Sequence, residues 1–448
     1  MTDSPAPTET GTTQTDPPEA SQTGSGKPRG LFRSLGPAII VASVVLGPGS
    51  ILLASTIGIQ FGYSLLWVPL FSTALMICLV AIAARLGVVY ERTLCDELAH
   101  RLGRPAAVFV GIVVFLIIAG FQTSNNTAIL AAIDPLLETV TGRSAGEIRG
   151  TGMSVTILVL LNAFVIAVLF GFKRLYSPLE KLMMGLVLIM LVGFLVNLAY
   201  AAPSLPEILG GLIPSVPQSP NPDEPVSLTP VIGFFATTVS IAAAFYQAYL
   251  VREKGWGIAD VKRGMGDAFL GIALLGGISM IIMITAAAVL HGAISAGEIG
   301  SAGDIARQLE PLFGPAAVIL FSLGLFAGAF SSFLVNAMIG GTILSDGLGY
   351  GGRMDQQSTR VLTAVALLLA MAIAIYYGGE QPVVVIQFAQ ALTVLGLPVL
   401  ALTMLYLATR PDLKGPRAIP LWMNAVLVLG CVIVFLLAAR TANNLFFS

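Results

Sequence analysis

Apolar residues in this chain recur in blocks of roughly 20, each closed by a short polar stretch, and that length matches the hydrocarbon thickness of a bilayer. Of the 448 residues, 56% are hydrophobic and 10% charged, against about 25% charged in an ordinary soluble domain. Lipid is therefore the main solvent, and the fold class is an all-α integral membrane protein. Eleven transmembrane helices are predicted, at approximately 36–58, 63–86, 106–132, 153–171, 178–201, 231–250, 268–291, 314–343, 361–378, 382–407 and 417–439. They fill a transmembrane domain over 31–448. Residues 1–30 stand apart. Positions 1–26 are rich in Ser, Thr, Pro, Gly and Gln, too polar to bury a core, and lack the apolar run of a signal peptide. They read as a disordered cytosolic tail.

All but four of the 23 Lys and Arg fall on one side of the predicted spans, the exceptions being Arg143, Arg149, Arg307 and Arg440. Lys and Arg collect in cytoplasmic loops, so the N-terminus is placed in the cytosol and the C-terminus outside. That arrangement requires an odd number of spans. The expected location is the plasma (inner) membrane, with the lipid bilayer as one partner and a transported ion or small solute as the other. A net charge of −1 leaves no basic face for nucleic acid. Cys78, Cys95 and Cys431 are too scattered to form a disulfide framework or a metal clip. No Ser-His-Asp set, phosphate loop or carboxylate pair can be assembled within the spans, so neither an enzyme nor a cofactor is expected. His100 and His291 fall at membrane edges and read as solvated.

The first span is interrupted halfway by Gly47-Pro48-Gly49. Two glycines beside a proline leave several backbone groups unpaired, more than a simple kink does, so a functional break is read there, with the helix restarting near Ser50. A broken first helix among eleven suggests five helices repeated by five more in inverted orientation. The first and sixth helices are then equivalent, and both are discontinuous around a midplane substrate site. The sixth span carries Thr237-Thr238-Val239-Ser240 at its middle but no Gly or Pro, so its break is expected from the repeat alone. Gly47, Ser50, Thr237 and Ser240 flank the two breaks and are predicted to contact substrate. In the third span, Gln122-Thr123-Ser124-Asn125-Asn126-Thr127 covers every side of a helix. Interhelical hydrogen bonds or a cavity wall would each explain it; the cavity wall is preferred. Ser331, Ser332 and Asn336 are divided evenly between the same two readings.

The stretch from Gly36-Pro37 through Gly47-Pro48-Gly49-Ser50, then Phe61-Gly62-Tyr63-Ser64-Leu65-Leu66-Trp67-Val68 and Ala83-Ala84-Arg85-Leu86-Gly87, resembles the first two helices of Nramp metal-ion transporters. Ala236-Thr237-Thr238-Val239 leading to Leu250-Val251-Arg252-Glu253-Lys254 resembles that family's sixth helix. Phe326-Ala327-Gly328, Ser331-Ser332 and Ser345-Asp346-Gly347 resemble the eighth, and Gln390 before Leu397-Pro398 the tenth. The resemblance covers nearly everything after residue 30 and implies the leucine-transporter-type fold, in which helices 1 and 6 unwind around the substrate.

Departures from the family pattern fall on its ligands. The Asp and Asn of the family's helix-1 break are replaced by Gly47 and Ser50. The Met-Pro-His run of its sixth helix reads Ser240, Ile241, Ala242, and a second His aligns with Gln247. The acidic pair of its third helix falls within the neutral run at 122–126, and its Gln on helix 8 corresponds to Ala329 or Phe330. The carbonyl of Thr237 and the side chain of Gln390 are the implied survivors. Ser50, Thr237 and Gln390 are thus the candidate metal ligands, and Gln122, Asn125, Asn126 and Gln247 are assigned to the access path. Selecting Mn²⁺ or Fe²⁺ over Mg²⁺ or Ca²⁺ needs sulfur or imidazole, and Ser240 offers neither. A hard or hydrated divalent cation such as Mg²⁺ or Mn²⁺, held weakly and without proton coupling, is the expected substrate. A carrier or channel for a small neutral or anionic solute is the alternative, since a helix restarting at the midplane presents free N–H groups.

Overall fold

A computed structural model describes residues 47–171, 173–216, 227–294, 299–353, 355–377 and 381–446. The N-terminal tail lies outside these residues. The described residues include helices α1 (Pro48–Phe61), α2 (Trp67–Val89), α3 (Leu94–Leu102), α4 (Arg104–Thr141), α5 (Met153–Phe170), α6 (Lys173–Ala201) and α7 (Thr229–Thr238). They continue with α8 (Ile241–Glu253), α9 (Val261–Leu290), α10 (Ala316–Gly347), α11 (Gln357–Tyr377), α12 (Pro382–Thr393), α13 (Leu397–Ala408) and α14 (Leu421–Phe446). Among the described residues nine helical segments are long and apolar enough to cross a membrane, α7–α8 and α12–α13 each counting once. Two shorter apolar helices, Pro48–Phe61 and Leu188–Ala201, occupy the expected first and fifth spans.

Helix α4 corrects the third span. The span expected at 106–132 continues to Thr141, with Pro135 inside it. Proline removes one backbone donor from a helix, and α4 runs on through that gap. A buried carboxylate, Asp134, therefore sits within the helix, accepting a hydrogen bond from Ser154 Oγ at 2.6 Å.

The apolar interior divides into two large clusters, beside a small third of Phe115, Leu344 and Ala366. One joins α2, α3, the first half of α4, α8, α13 and α14; the other joins α1, the second half of α4, Phe234 of α7, α9 and the start of α10. Their boundary is polar. On α4 the first cluster stops at Phe121 and the second begins at Ala128, on α12 Ile386 and Ala391 face each other across the gap, and on α10 Ala337 and Ile339 do. Gln122–Thr127, Thr237–Ser240, Gln387–Gln390 and Asn336 all occupy this equator.

The cation-bearing segments meet at one end. Helix α3 is a short amphipathic turn-former: Thr93 caps its N-terminus, Asp96 and Glu97 sit in its first turn and Arg101 in its last, each charge placed to suit the helix dipole. Arg101 bonds Glu97 (2.6 Å) and reaches Asp412 beyond α13 (2.6 Å). Arg252, at the end of α8, donates to the carbonyls of Tyr90 (2.6 Å) and Glu91 (2.5 Å) just past α2. Tyr249 Oη donates to Asp346 Oδ2 at the end of α10 (2.8 Å). Gly87 lets α2 and α8 touch, since a Cβ there would lie 2.4 Å from Ala248 O. At the opposite end Gln308 is fully buried: its amide donates to Ser55 Oγ of α1 (3.0 Å), and its backbone carbonyl accepts from Asn197 of α6 (2.6 Å). His291, expected to be solvated, is exposed there, with Nδ1 2.8 Å from Ile59 O.

Candidate functional site

Two helix starts converge at the equator. Gly47 is extended (φ −82°, ψ 174°) and stands at the N-cap of α1, with Pro48 in the first turn. Proline suits that position because its φ is already helical and its missing N–H would have had no partner. The restart therefore comes at Pro48 rather than near Ser50, and no continuous helix passes through Gly47. Residues before Gly47 are outside the described set.

Helix 6 breaks at the expected place. Val239 (φ −91°, ψ 61°) and Ser240 (φ −74°, ψ 85°) leave helical geometry between α7 and α8 without any glycine or proline. Ser240 explains how. Its Oγ accepts from Ala243 N–H at 3.4 Å and caps α8, the local bond by which serine competes with continuous helix.

The two breaks touch. Ser50 Oγ lies 3.4 Å from Thr237 Oγ1. Gln390, from α12, packs on Gly49 so closely that a Cβ there would fall 2.6 Å from its Nε2. Gly233 of α7 clears the same approach, its virtual Cβ lying 3.2 Å from Gln387 O and 3.4 Å from Gln390 Cβ. Gln390 is 2% exposed, and its Oε1 has no hydrogen-bond partner among the described residues; neither has Thr238 Oγ1. A buried unpaired carbonyl oxygen costs about 1–3 kcal/mol, which a bound cation or water would recover. Gly47, Ser50, Thr237, Ser240 and Gln390 are thus brought to one place. Sequence reading missed Gly49, Gly233 and Gln387 as neighbours of that place. The glycines had a signal only in their small size, and Gln387 had one in lying three residues, about one turn, before Gln390.

The polar run of α4 behaves differently. Gln122 Nε2 donates to Phe333 O of α10 (2.5 Å), Asn125 Nδ2 to Gln122 Oε1 (2.6 Å), and Asn126 Nδ2 to Gln122 O (2.8 Å). Asn162 of α5 donates to Asn126 Oδ1 (2.8 Å), and Ser124 Oγ to Ile386 O (3.2 Å). Thr123 and Thr127 bond carbonyls one turn back. All six side chains are buried, so in this conformation the run ties α4 to α5, α10 and α12. Gln247 of α8 is fully buried with neither amide atom paired among the described residues. Ser332 and Asn336 are likewise buried, and Ser331 Oγ returns to Gly328 O.

No side chain named at this crossing carries a charge, and among the described residues no group of three or more His, Cys, Asp or Glu could hold a metal. The donors are neutral oxygens.

Broken helices crossing at mid-height, inside an all-helical membrane protein, define the class: a carrier fold of the leucine-transporter type. The family model for natural resistance-associated macrophage protein-like (Nramp) proteins matches residues 38–442, and the chain belongs to that family. A curated relative, the divalent metal cation transporter MntH of Deinococcus radiodurans, is 26% identical over 429 residues, covering 89% of each chain. The Xylella fastidiosa (strain 9a5c) protein of the same name is 27% identical, with 90% of this chain and 84% of the relative covered. Among solved structures, a manganese transporter of Eremococcus coleocola superimposes with a TM-score of 0.71 at 19% identity, covering 94% and 90% of the two chains. MhsT in complex with L-phenylalanine superimposes with a TM-score of 0.56 at 16% identity, covering 90% and 98% of the two chains. These superpositions show the fold.

Proposed function

We propose that this chain transports a hard divalent cation, Mg²⁺ or Mn²⁺ with weak selectivity between them, retaining part of its water, and that transport is not driven by protons. The relatives named as divalent metal cation transporters support the cargo class. The observation that carries the finer reading is the donor set: Ser50, Thr237 and Gln390, all neutral oxygens, with Oε1 of Gln390 unpaired. Hard cations accept such ligands and Mg²⁺ in particular keeps several waters, whereas the thioether or imidazole that would favour softer metals is missing from Ser240 and Gln247. Ser50, Thr237 and Gln390 are the proposed metal ligands, and Gly47 and Ser240 flank the two helix breaks beside them. Gln247, with both amide atoms free, is the best placed of the access-path residues; Gln122, Asn125 and Asn126 would have to exchange their interhelical bonds for water.

Neutrality at the crossing also supports the absence of proton coupling, because proton relays across membranes use Asp, Glu or His. Asp134 is buried but lies eight residues, about 12 Å, along α4 from Asn126. The N-terminus is proposed to be cytosolic and the C-terminus external, since Arg101, Arg104, Arg252 and Arg410 lie at the end that the loop charges assign to the cytosol. A small neutral or anionic solute is the second reading, favoured by the positive end of α1, which starts at Gly47 without a side-chain cap. Purified protein in liposomes, offered Mg²⁺, Mn²⁺, Ca²⁺ and small anions with and without a pH gradient, separates the readings. Saturable Mg²⁺ and Mn²⁺ uptake with no lumenal acidification is expected. Anion uptake alone, or acidification that follows metal entry, would overturn the proposal.

A further inference from the structure

Between α4, α11 and α12 the lipid-facing surface is recessed into a cavity of about 850 Å³. Its floor is built from small side chains, Ala119, Gly120, Thr123, Ala389, Thr393 and Gly396, where α12 leans on α4. A Cβ on Gly120 would come within 2.8 Å of Thr393 Cγ2. The rim is large and apolar: Leu116, Leu369, Val384, Phe388 and Leu392 are each 41% to 59% exposed. The two floor hydroxyls are already satisfied, Thr123 donating to Ala119 O and Thr393 to Gln390 O, so neither asks for a polar ligand.

Helices α4, α11 and α12 all belong to segments of membrane-spanning length and hydropathy, so the medium that fills this recess is the bilayer. The recess runs from Val384 along α12 and through the 3₁₀ turn to Gly396, about 20 Å at about 1.5 Å per α-helical and about 2.0 Å per 3₁₀ residue. That is close to one leaflet of a hydrocarbon core about 30 Å thick. Tyr377 lies at one end, 63% exposed, and tyrosines favour the membrane–water interface. We infer that the recess is a binding site for one acyl chain of a bilayer phospholipid. A chain lying there rests on Ala389 and Thr393, and through the Thr393 hydroxyl it backs the segment of α12 that presents Gln390 to the crossing. The site is independent of which ion is carried.

The test uses full-length protein in nanodiscs containing a phosphatidylcholine with a diazirine midway along one acyl chain, illuminated and mapped by peptide mass spectrometry. Adducts on 113–123 and 384–396 are expected to exceed those on α14 several-fold, although Val428, Leu429 and Val432 of α14 are 47% to 51% exposed and meet the same lipid. Leu116→Trp and, separately, Val384→Trp each place an indole in the recess. Each should reduce the recess adducts at least threefold while leaving the α14 adducts unchanged, which serves as an internal check on folding. Adducts spread evenly over the lipid-facing helices, or recess adducts that survive both substitutions, would overturn the inference.

Discussion

Restoring the missing ligands is the sharpest test of the site. Gly47→Asp with Ser240→Met returns the carboxylate and thioether that the family resemblance implies. The backbone permits the first change, because φ of −82° at Gly47 is open to any L-residue. An aspartate there would also cap α1 and gain a few tenths of a kcal/mol over glycine. The second change removes the cap that Ser240 Oγ gives to Ala243 N–H, at a cost of about 1 kcal/mol. Burying a lone carboxylate costs several kcal/mol more, so the metal-free double mutant should melt below the parent. A divalent ion about 3 Å from that carboxylate gains on the order of 11 kcal/mol at an effective dielectric near 20. Even after desolvation, that leaves more than the ~1.4 kcal/mol needed for tenfold affinity. Calorimetry should therefore show Mn²⁺ binding at least tenfold tighter than in the parent, with Mn²⁺ preferred to Mg²⁺ because of the sulfur. Saturating Mn²⁺ should also recover the lost melting temperature, by about 2.7 kcal/mol at 100 times Kd. A monodisperse double mutant with unchanged Mn²⁺ affinity would refute the placing of the metal site between the two helix breaks.

Gly49→Ala sets a methyl 2.6 Å from Gln390 Nε2; the flexible tip must swing away, and liposome uptake should fall about tenfold while overpacking costs no more than about 1–3 kcal/mol of stability. Asp134→Asn keeps an acceptor for Ser154 Oγ, so the pH dependence of uptake should match the parent; a change in that dependence would assign Asp134 a proton-carrying role. The Arg101 guanidinium holds the Asp412 carboxyl below its usual range. A depressed carboxyl stabilises the fold above its unfolded pKa of about 3.9, and that contribution is lost as pH falls through the lower folded value. Arg101→Gln should flatten this acid dependence in a thermal-shift series, by under about 1 kcal/mol because Asp412 is half-exposed.

Membrane class and the first break are legible because each leaves a local mark, apolar block length and Gly-Pro-Gly; the second break, at Val239-Ser240, has no such mark and is legible only through the expected inverted repeat. The restart at Pro48 rather than near Ser50 is less legible, because a proline between two glycines reads as part of the gap, whereas it makes a good first helical residue. The role of the run at 122–127 was not legible. Six polar residues on one helix look the same whether they face water or the carbonyls of Phe333 and Ile386, and only the neighbours' positions decide. The reach of α4 past Asp134-Pro135 was hidden for a related reason, since the helix tolerates a lost hydrogen bond that a local rule treats as an end. Gly49 and Gly233 acquire meaning only from Gln390, more than 150 positions away in sequence.

The tenth expected span, made of α12 and α13, does not wind evenly. Between α12 and α13, Val394–Gly396 form a single 3₁₀ turn, advancing about 120° per residue where an α-helix advances about 100°. Three such residues rotate everything beyond them by roughly 60° relative to Gln390. In an unbroken α-helix, Leu397 and Ala401 would continue the stripe on which Gln390 lies. With the extra rotation the stripe passes instead to Leu400 and Met404, both fully buried. The same helix thus presents one face to the crossing above the turn and a differently phased face to the apolar core below it, so a change in winding at these three residues would turn Gln390 relative to the lower half.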